Sequence, residues 1–211
     1  MENRSYHQHC GLARALDRIG ERWTLLIVRD LLLGPRRYTQ LLEGLAGITT
    51  NLLAKRLRHL EEIGIINKSG RGPATRYCLS ESGAALEPVI MELARWGGRF
   101  MAGKLEEDRL DLGWALLSLK RRYLGGERLR VGIQVAGGRS FELVMEVGGL
   151  LVLEREASSP DLALVGATGD FFALLFQNRR PPGLQLKERQ DGDFCRFCSA
   201  LGLKVEQEEA W

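Results

Sequence analysis

Three side chains at helical spacing offer the first chemistry in this chain. Asn51, Lys55 and Arg58 recur at i, i+4 and i+7 within residues 47–64, so one amide and two cations project together from one side of a helix. An amide can pair with adenine in two places, and Arg or Lys with guanine, which makes this the inventory of a base-reading helix. A solvated charged face is the plainer alternative. Leu53, Leu57 and Leu60 repeat at the same spacing on the other side, a stripe that must be buried. Thr49 is the expected N-cap and Gly64 the expected stop.

The remaining reactive side chains are sparse. His7, His9 and Cys10 lie close together near the N-terminus, but neighbours in a short arm rarely converge on one ion without a fourth ligand, so no metal is expected. Cys195-Arg196-Phe197-Cys198 is a C-x-x-C pair. It falls inside an aromatic helix and lacks the second pair that zinc would need, so burial in a core is its expected role. No histidine follows His59, and no Gly-rich phosphate loop precedes a Lys-Ser or Lys-Thr pair. His-based hydrolysis and most catalytic zinc chemistry are thus closed to the second half. No catalytic residue and no cofactor are expected, and an enzyme using a C-terminal pocket is the weakest of the rival readings.

Stepping outward from the helix, residues 38–43 form a short helical run joined to it by Gly44-Leu45-Ala46-Gly47. After Gly64 come two β-rich runs, 65–68 and 76–80, separated by the loop Ser69-Gly70-Arg71-Gly72-Pro73-Ala74-Thr75. That is a hairpin, and Lys68, Arg71 and Arg76 stand at or beside its tip. Helix, Gly-containing turn, helix and basic hairpin make the layout of a winged helix-turn-helix. Charge agrees: residues 1–100 carry 15 Lys and Arg against 10 Asp and Glu, whereas residues 101–211 carry 15 against 17. Within residues 36–76 the balance is 8 to 3, so the excess sits on the proposed contact surface.

Before this unit, the first ten residues read as a loose polar arm. Residues 10–20 form a short amphipathic helix, and residues 23–33 a strongly apolar one that must be the floor under the helix-turn-helix, with Trp23 in the core. Beyond the hairpin, Leu86, Val89, Ile90, Leu93 and Trp96 line a helix that Pro88 should kink. Its stripe exceeds what a minimal winged helix can bury, which predicts a homodimer matched to two-fold, palindromic double-stranded DNA. No stretch approaches the ~20 apolar residues of a membrane span, and the four cysteines suit reduced thiols, so a cytoplasmic protein with no membrane partner is expected.

Past a charged link the period changes. Leu110, Trp114, Leu117 and Tyr123 mark a helix, after which glycine pairs at 125–126, 137–138 and 148–149 punctuate strand-length runs. Val131, Ile133 and Val135 alternate with polar residues, as do Phe141, Leu143, Met145 and Val147. Residues 150–153 and 162–165 are apolar on both faces and should be central strands. An almost wholly apolar helix covers residues 171–176, and a final helix holds Phe194, Phe197 and Leu201. The expected class is α+β: an N-terminal winged helix-turn-helix domain (1–104), then a C-terminal antiparallel-sheet domain with helices packed on one face (105–211). The apolar surplus fits either an internal cavity or a well-filled core.

Cys10 with Ala13-Arg14-Ala15-Leu16-Asp17, Ile19-Gly20-Glu21-Arg22-Trp23-Thr24-Leu25-Leu26-Ile27, Leu33-Gly34-Pro35-Arg36-Arg37-Tyr38, Gly47-Ile48-Thr49, Arg56-Leu57, Leu60-Glu61, Tyr77-Cys78-Leu79-Ser80 and Trp96-Gly97 resemble the HxlR-type winged-helix regulators over residues 8–100. The resemblance implies a homodimeric bacterial transcription factor whose first and last helices build the dimer. It implies DNA contacts from Thr49, Thr50, Asn51, Lys55 and Arg58, with the wing at Arg71 and Arg76; Arg56, nearer the core flank, braces the fold. In that family a cysteine matching Cys10 can sense oxidants or electrophiles, although Gly11 stands here where Pro is usual. Residues 110–203, by element order and by Phe141-Glu142-Leu143, Pro160-Asp161-Leu162-Ala163-Leu164 and Gly192-Asp193-Phe194, resemble sterol-carrier-protein-like lipid-binding domains. That implies a tunnel for an apolar small-molecule effector, lined by Trp114, Leu143, Met145, Phe171, Phe172, Leu175 and Phe176. The two resemblances together predict a dimeric regulator that senses such an effector, or alternatively a redox regulator acting through Cys10 with a structural second domain.

Overall fold

A computed structural model describes residues 5–101 and 108–205. The chain divides into two compact units, Met1–Gly98 and Arg99–Trp211.

In the first unit α1 (Gly11–Ile19) and α2 (Thr24–Leu31) precede α3 (Tyr38–Gly44) and α4 (Thr50–Glu62). The strands β1 (Ile66–Ser69) and β2 (Arg76–Leu79) then pair antiparallel, with Lys68 opposite Tyr77. Ile27, Val28 and Leu31 of α2 are buried with Leu53, Leu57 and Leu60 of α4 in one cluster, so the apolar helix is the floor its composition predicts. Thr49 caps α4, its hydroxyl accepting from the Leu52 N–H at 3.3 Å, and the helix gives way at Gly64, where φ is +75°. A side chain there would be strained, which is why the helix stops at that residue. The arm is better held than its polarity suggested: Ser5 Oγ and the Tyr6 N–H both donate to the Asp17 carboxylate, at 3.0 and 2.9 Å.

After the wing the chain forms α5 (Glu81–Ala84) and α6 (Glu87–Gly97). Pro88 kinks nothing. It lies in the first turn of α6, where the missing N–H has no helical partner to lose and the fixed φ favours initiation. A third extended segment joins the wing, since Arg36 and Tyr77 exchange backbone hydrogen bonds of 2.9 and 2.8 Å. One residue is too short a strand for periodicity to reveal.

The second unit opens with α7 (Leu112–Ser118), capped by Asp111, whose carboxylate accepts from the Trp114 N–H. Then follow β3 (Leu129–Val135), β4 (Ser140–Glu146), β5 (Gly149–Leu153), β6 (Leu162–Gly166), α8 (Thr168–Gln177), β7 (Gln185–Glu188) and α9 (Asp193–Ala200). The sheet order is β5-β4-β3-β6-β7. The meander β3-β4-β5 is antiparallel as expected, but β6 returns parallel to β3, so the sheet is mixed. β6 is interior, whereas β5 is an edge strand and its Leu151 is exposed. Residues 150–153 misled because an edge strand can carry apolar side chains on both faces while only one face reaches a core. The buried side chains of β3, β4 and β6 alternate onto one face (Val131, Ile133, Leu143, Leu162 and Leu164), and Leu116, Phe171, Leu175 and Phe197 of the helices complete that core. This is the α+β arrangement anticipated, with apolar layers on one side of the sheet.

Candidate nucleic-acid interface

The interface begins with α4. Burial of Leu53, Leu57 and Leu60 fixes the rotation of the helix, and at a period of 3.6 this leaves Asn51, Lys55 and Arg58 exposed on the opposite side. Thr49 and Thr50 are exposed at its N-terminus. Arg56, next to Lys55 in the chain, points the other way: it is 8% exposed, and its guanidinium meets Glu21 at 2.5 Å. Two adjacent cations on one helix thus have separate duties, Arg56 bracing the α1–α2 corner and Lys55 facing solvent. A second tie runs from His59 Nε2 to the Arg18 carbonyl at 3.3 Å.

Lys68, Arg71 and Arg76 are all exposed on the wing. The hairpin tip is a single 3-10 turn, Gly72–Ala74, with Pro73 inside it. Between the wing and the start of α3 runs a groove of about 430 Å³ lined by Arg37, Tyr38, Thr39, Lys68, Thr75 and Tyr77 among others. Tyr38 donates to the Thr50 carbonyl at 2.7 Å, tying the start of α3 to the start of α4. Burial, with Glu61 adding to it, raises the Tyr77 phenol above its ordinary value, so the ring lines the groove as a neutral group.

The groove brings Arg37 and Thr39 into the candidate set, and both are exposed. The sequence held a signal in the pair Arg36-Arg37 but not which of the two is available. Arg36 is buried, its Nε donating to the Asp30 carbonyl at 3.4 Å, and Arg37 is outside.

The expected effector residues are less uniform. Leu143, Met145, Phe171 and Leu175 are buried within the core of the second unit, Trp114 and Phe172 are half-buried, and Phe176 is exposed. Phe172 and Phe176 stack at 5.6 Å on one side of α8, so these seven side chains do not line a single wall. The C-x-x-C pair also departs from expectation: Cys198 is buried, but Cys195 is exposed in the first turn of α9. Burial, aided by the neighbouring Cys195, pushes the Cys198 thiol up to about 12. Cys10 is exposed immediately before α1. Among the described residues no group of three His, Cys, Asp or Glu side chains is placed to hold a metal, and no helix is long and apolar enough to cross a membrane.

Comparison with known proteins addresses the first unit. Residues 18–104 match the HxlR-like helix-turn-helix family. An HTH-type transcriptional regulator of Mycobacterium tuberculosis (strain H37Rv) is 40% identical over 93 residues, which is 43% of this chain and 58% of that protein. A regulator of the same type from Synechocystis is 34% identical over 95 residues, 44% of this chain and 70% of the relative. The regulator YodB of Bacillus subtilis is 34% identical over 90 residues, 41% and 80% respectively. The crystal structure of quinone-bound YodB aligns with 42% of this chain and 97% of its own, at 32% identity and a TM-score of 0.38. This chain spans only 58% of the length of the mycobacterial relative. The match to residues 18–104 and the 70% and 80% coverage of the Synechocystis and Bacillus relatives place the chain in the HxlR-like helix-turn-helix family.

Proposed function

We propose that the protein is a homodimeric transcriptional regulator that reads palindromic double-stranded DNA with α4 and grips the flanking backbone with the wing. The observation that carries this reading is the exposed row of Asn51, Lys55 and Arg58 on a helix whose opposite face is buried. Asn51 and Arg58 supply base-edge pairing, and Lys55 supplies either a base or a phosphate contact. Thr49 and Thr50 offer hydroxyls and backbone N–H groups at the helix N-terminus, and Lys68, Arg71 and Arg76 reach phosphates from the wing. Two copies are needed because α6 leaves Val89, Leu93 and Trp96 exposed by 46, 47 and 58% along one stripe, and α1 exposes Leu12 and Leu16. Apolar rows of this kind are covered most simply by a two-fold copy, which also sets two recognition helices one DNA turn apart. Light scattering of the full chain with duplex fragments tests it: two chains per palindromic duplex are expected, and one chain per duplex would refute the dimeric reading.

The second unit acts in this proposal as a sensor of an apolar small molecule. Its support is the order of elements, helix, three-stranded meander, returning strand, helix, strand and helix, together with the apolar α8 and its half-exposed Phe172 and Phe176 pair. An effector regulates only if it binds the DNA-competent and incompetent states unequally. Native mass spectrometry of the purified protein should show an apolar molecule retained, two per dimer, and a bare dimer that gains no apolar ligand would count against sensing.

A second reading has an observation of its own. Cys10 is exposed at the start of α1, beside the face assigned to the dimer, and YodB has a quinone-bound form. Alkylation of this thiol by a quinone would change the helix that joins the two copies. Loss of quinone-dependent release from DNA in Cys10→Ser supports this reading, and an unchanged response refutes it.

A further inference from the structure

At one end of its strands the sheet of the second unit carries a groove of about 730 Å³. It opens where the start of β3, the end of β4, the loop before β6 and the residue after β7 converge. Three guanidiniums, those of Arg128, Arg130 and Arg189, and the hydroxyl-bearing Ser158 and Ser159 line it. Nothing in the proposed regulatory reading uses these residues.

Two of the three arginines are oriented from behind. Arg130 donates through one terminal nitrogen to Glu142 at 3.0 Å, and Glu142 is 1% exposed and shared with Arg155 at 2.6 Å. One buried carboxylate therefore faces two cations, and a positive charge is left over on that side. Arg189 donates to Asp161 at 3.3 Å, while the other oxygen of Asp161 accepts from the Arg130 N–H at 2.8 Å. The backbone of Asp161 is pinned as well, bonded to the Arg130 carbonyl at 2.8 Å and to the Arg189 N–H at 2.7 Å. Each guanidinium carries five N–H donors, and these pairings occupy a minority of them. Arg128 forms no ion pair among the described residues. The opposite wall is fixed by close packing: a Cβ added at Gly132 would lie 3.2 Å from Ala157 and 3.3 Å from Pro160, so the loop holding both serines is pressed onto the sheet. Ser159 itself sits at φ +53°, a conformation that costs free energy in a non-glycine residue.

The result is a groove rich in fixed donors and poor in acceptors, Glu146 being the one carboxylate in its lining that is in no ion pair among the described residues. We propose that this groove binds a small, multiply charged oxyanion, a phosphate ester or a polycarboxylate, with the guanidiniums of Arg128, Arg130 and Arg189 on its charged oxygens. Planar forks suit such groups in a bidentate manner. Glu146 accepts from a hydroxyl of the ligand. None of the residues assigned to DNA contact belongs to this groove.

Titration calorimetry of the full chain with pyrophosphate and with citrate tests the proposal and distinguishes the two sources of oxyanion. Arg128→Ala removes a guanidinium with no structural partner, so the fold survives, and it should weaken binding of the preferred probe about tenfold. Arg121→Ala makes the same charge change outside the groove lining and should leave affinity within about twofold. A Lys55→Ala, Arg58→Ala double variant reports any binding on the basic DNA surface and should also leave affinity unchanged. The proposal is overturned if wild type binds neither probe, if Arg121→Ala and Arg128→Ala weaken it equally, or if binding disappears with Lys55 and Arg58.

Discussion

The pair Arg56–Glu21 allows a prediction in which two neighbouring arginines behave oppositely. Arg56 is buried on the core flank of α4 and its Nε has no hydrogen-bond partner among the described residues, while the Glu21 side chain is 51% exposed. Breaking a buried ion pair by removing one partner costs about 3–5 kcal/mol. Here water reaches the pair from the Glu21 side, so Glu21→Gln should cost about 1–2 kcal/mol. Arg56→Met removes the charge and the unsatisfied donor together while keeping an unbranched apolar stem, and should stay within about 1 kcal/mol of wild type. In a unit of this size 1 kcal/mol moves the melting temperature by about 4–8 °C. Scanning calorimetry should therefore show the first unit melting about 4–16 °C lower in Glu21→Gln and little changed in Arg56→Met. Arg56→Met should bind operator DNA as wild type does, whereas Arg58→Ala should leave stability alone and lose about tenfold or more in affinity. A larger loss of stability in Arg56→Met than in Glu21→Gln, or a loss of DNA affinity in Arg56→Met without unfolding, would refute this division of roles.

Other consequences follow from single positions. Gly83→Ala would place a Cβ 2.1 Å from the Ile65 carbonyl oxygen, and because that oxygen is backbone and accepts from the Ser80 N–H at 3.0 Å the first unit should lose about 3 kcal/mol, measurable by urea unfolding. Thr49→Ala removes the cap on α4 and should cost about 1 kcal/mol in the same assay. The raised Cys198 thiol makes folding depend on alkali: the folded state holds its proton more tightly than the unfolded chain, so this contribution is complete below the ordinary thiol value and fades as pH rises from there towards 12. Iodoacetamide at pH 8 should accordingly label Cys10 and Cys195 and spare Cys198, with labelled peptides identified by mass spectrometry.

The first unit was legible because its residues obey one period at a time. The Leu53, Leu57 and Leu60 stripe fixed which side of α4 is wet, and Gly64 with the Gly-Pro loop marked where helix turns to hairpin. Pro88 was misplaced because a proline rule applies differently to the first turn and to the interior, and the boundary between α5 and α6 leaves no periodic trace. In the second unit local patterning showed strands but not their neighbours: the parallel pairing of Val131 with Leu162 spans thirty-one residues, and no local rule encodes so distant a partner. The edge position of β5 followed from that same pairing. Within the interface, spacing found the exposed cations of α4 and the wing, yet it could not separate Arg36 from Arg37, since their different fates depend on the backbone exchange between Arg36 and Tyr77.

The contact assigned to Asn51, Lys55 and Arg58 is tested most directly by nuclease footprinting on the upstream DNA of the protein's own gene, wild type against the triple alanine variant. Wild type should protect two half-sites whose centres lie about one helical turn apart, and the folded triple variant should protect neither at the same concentration. Equal protection by both proteins would contradict the account.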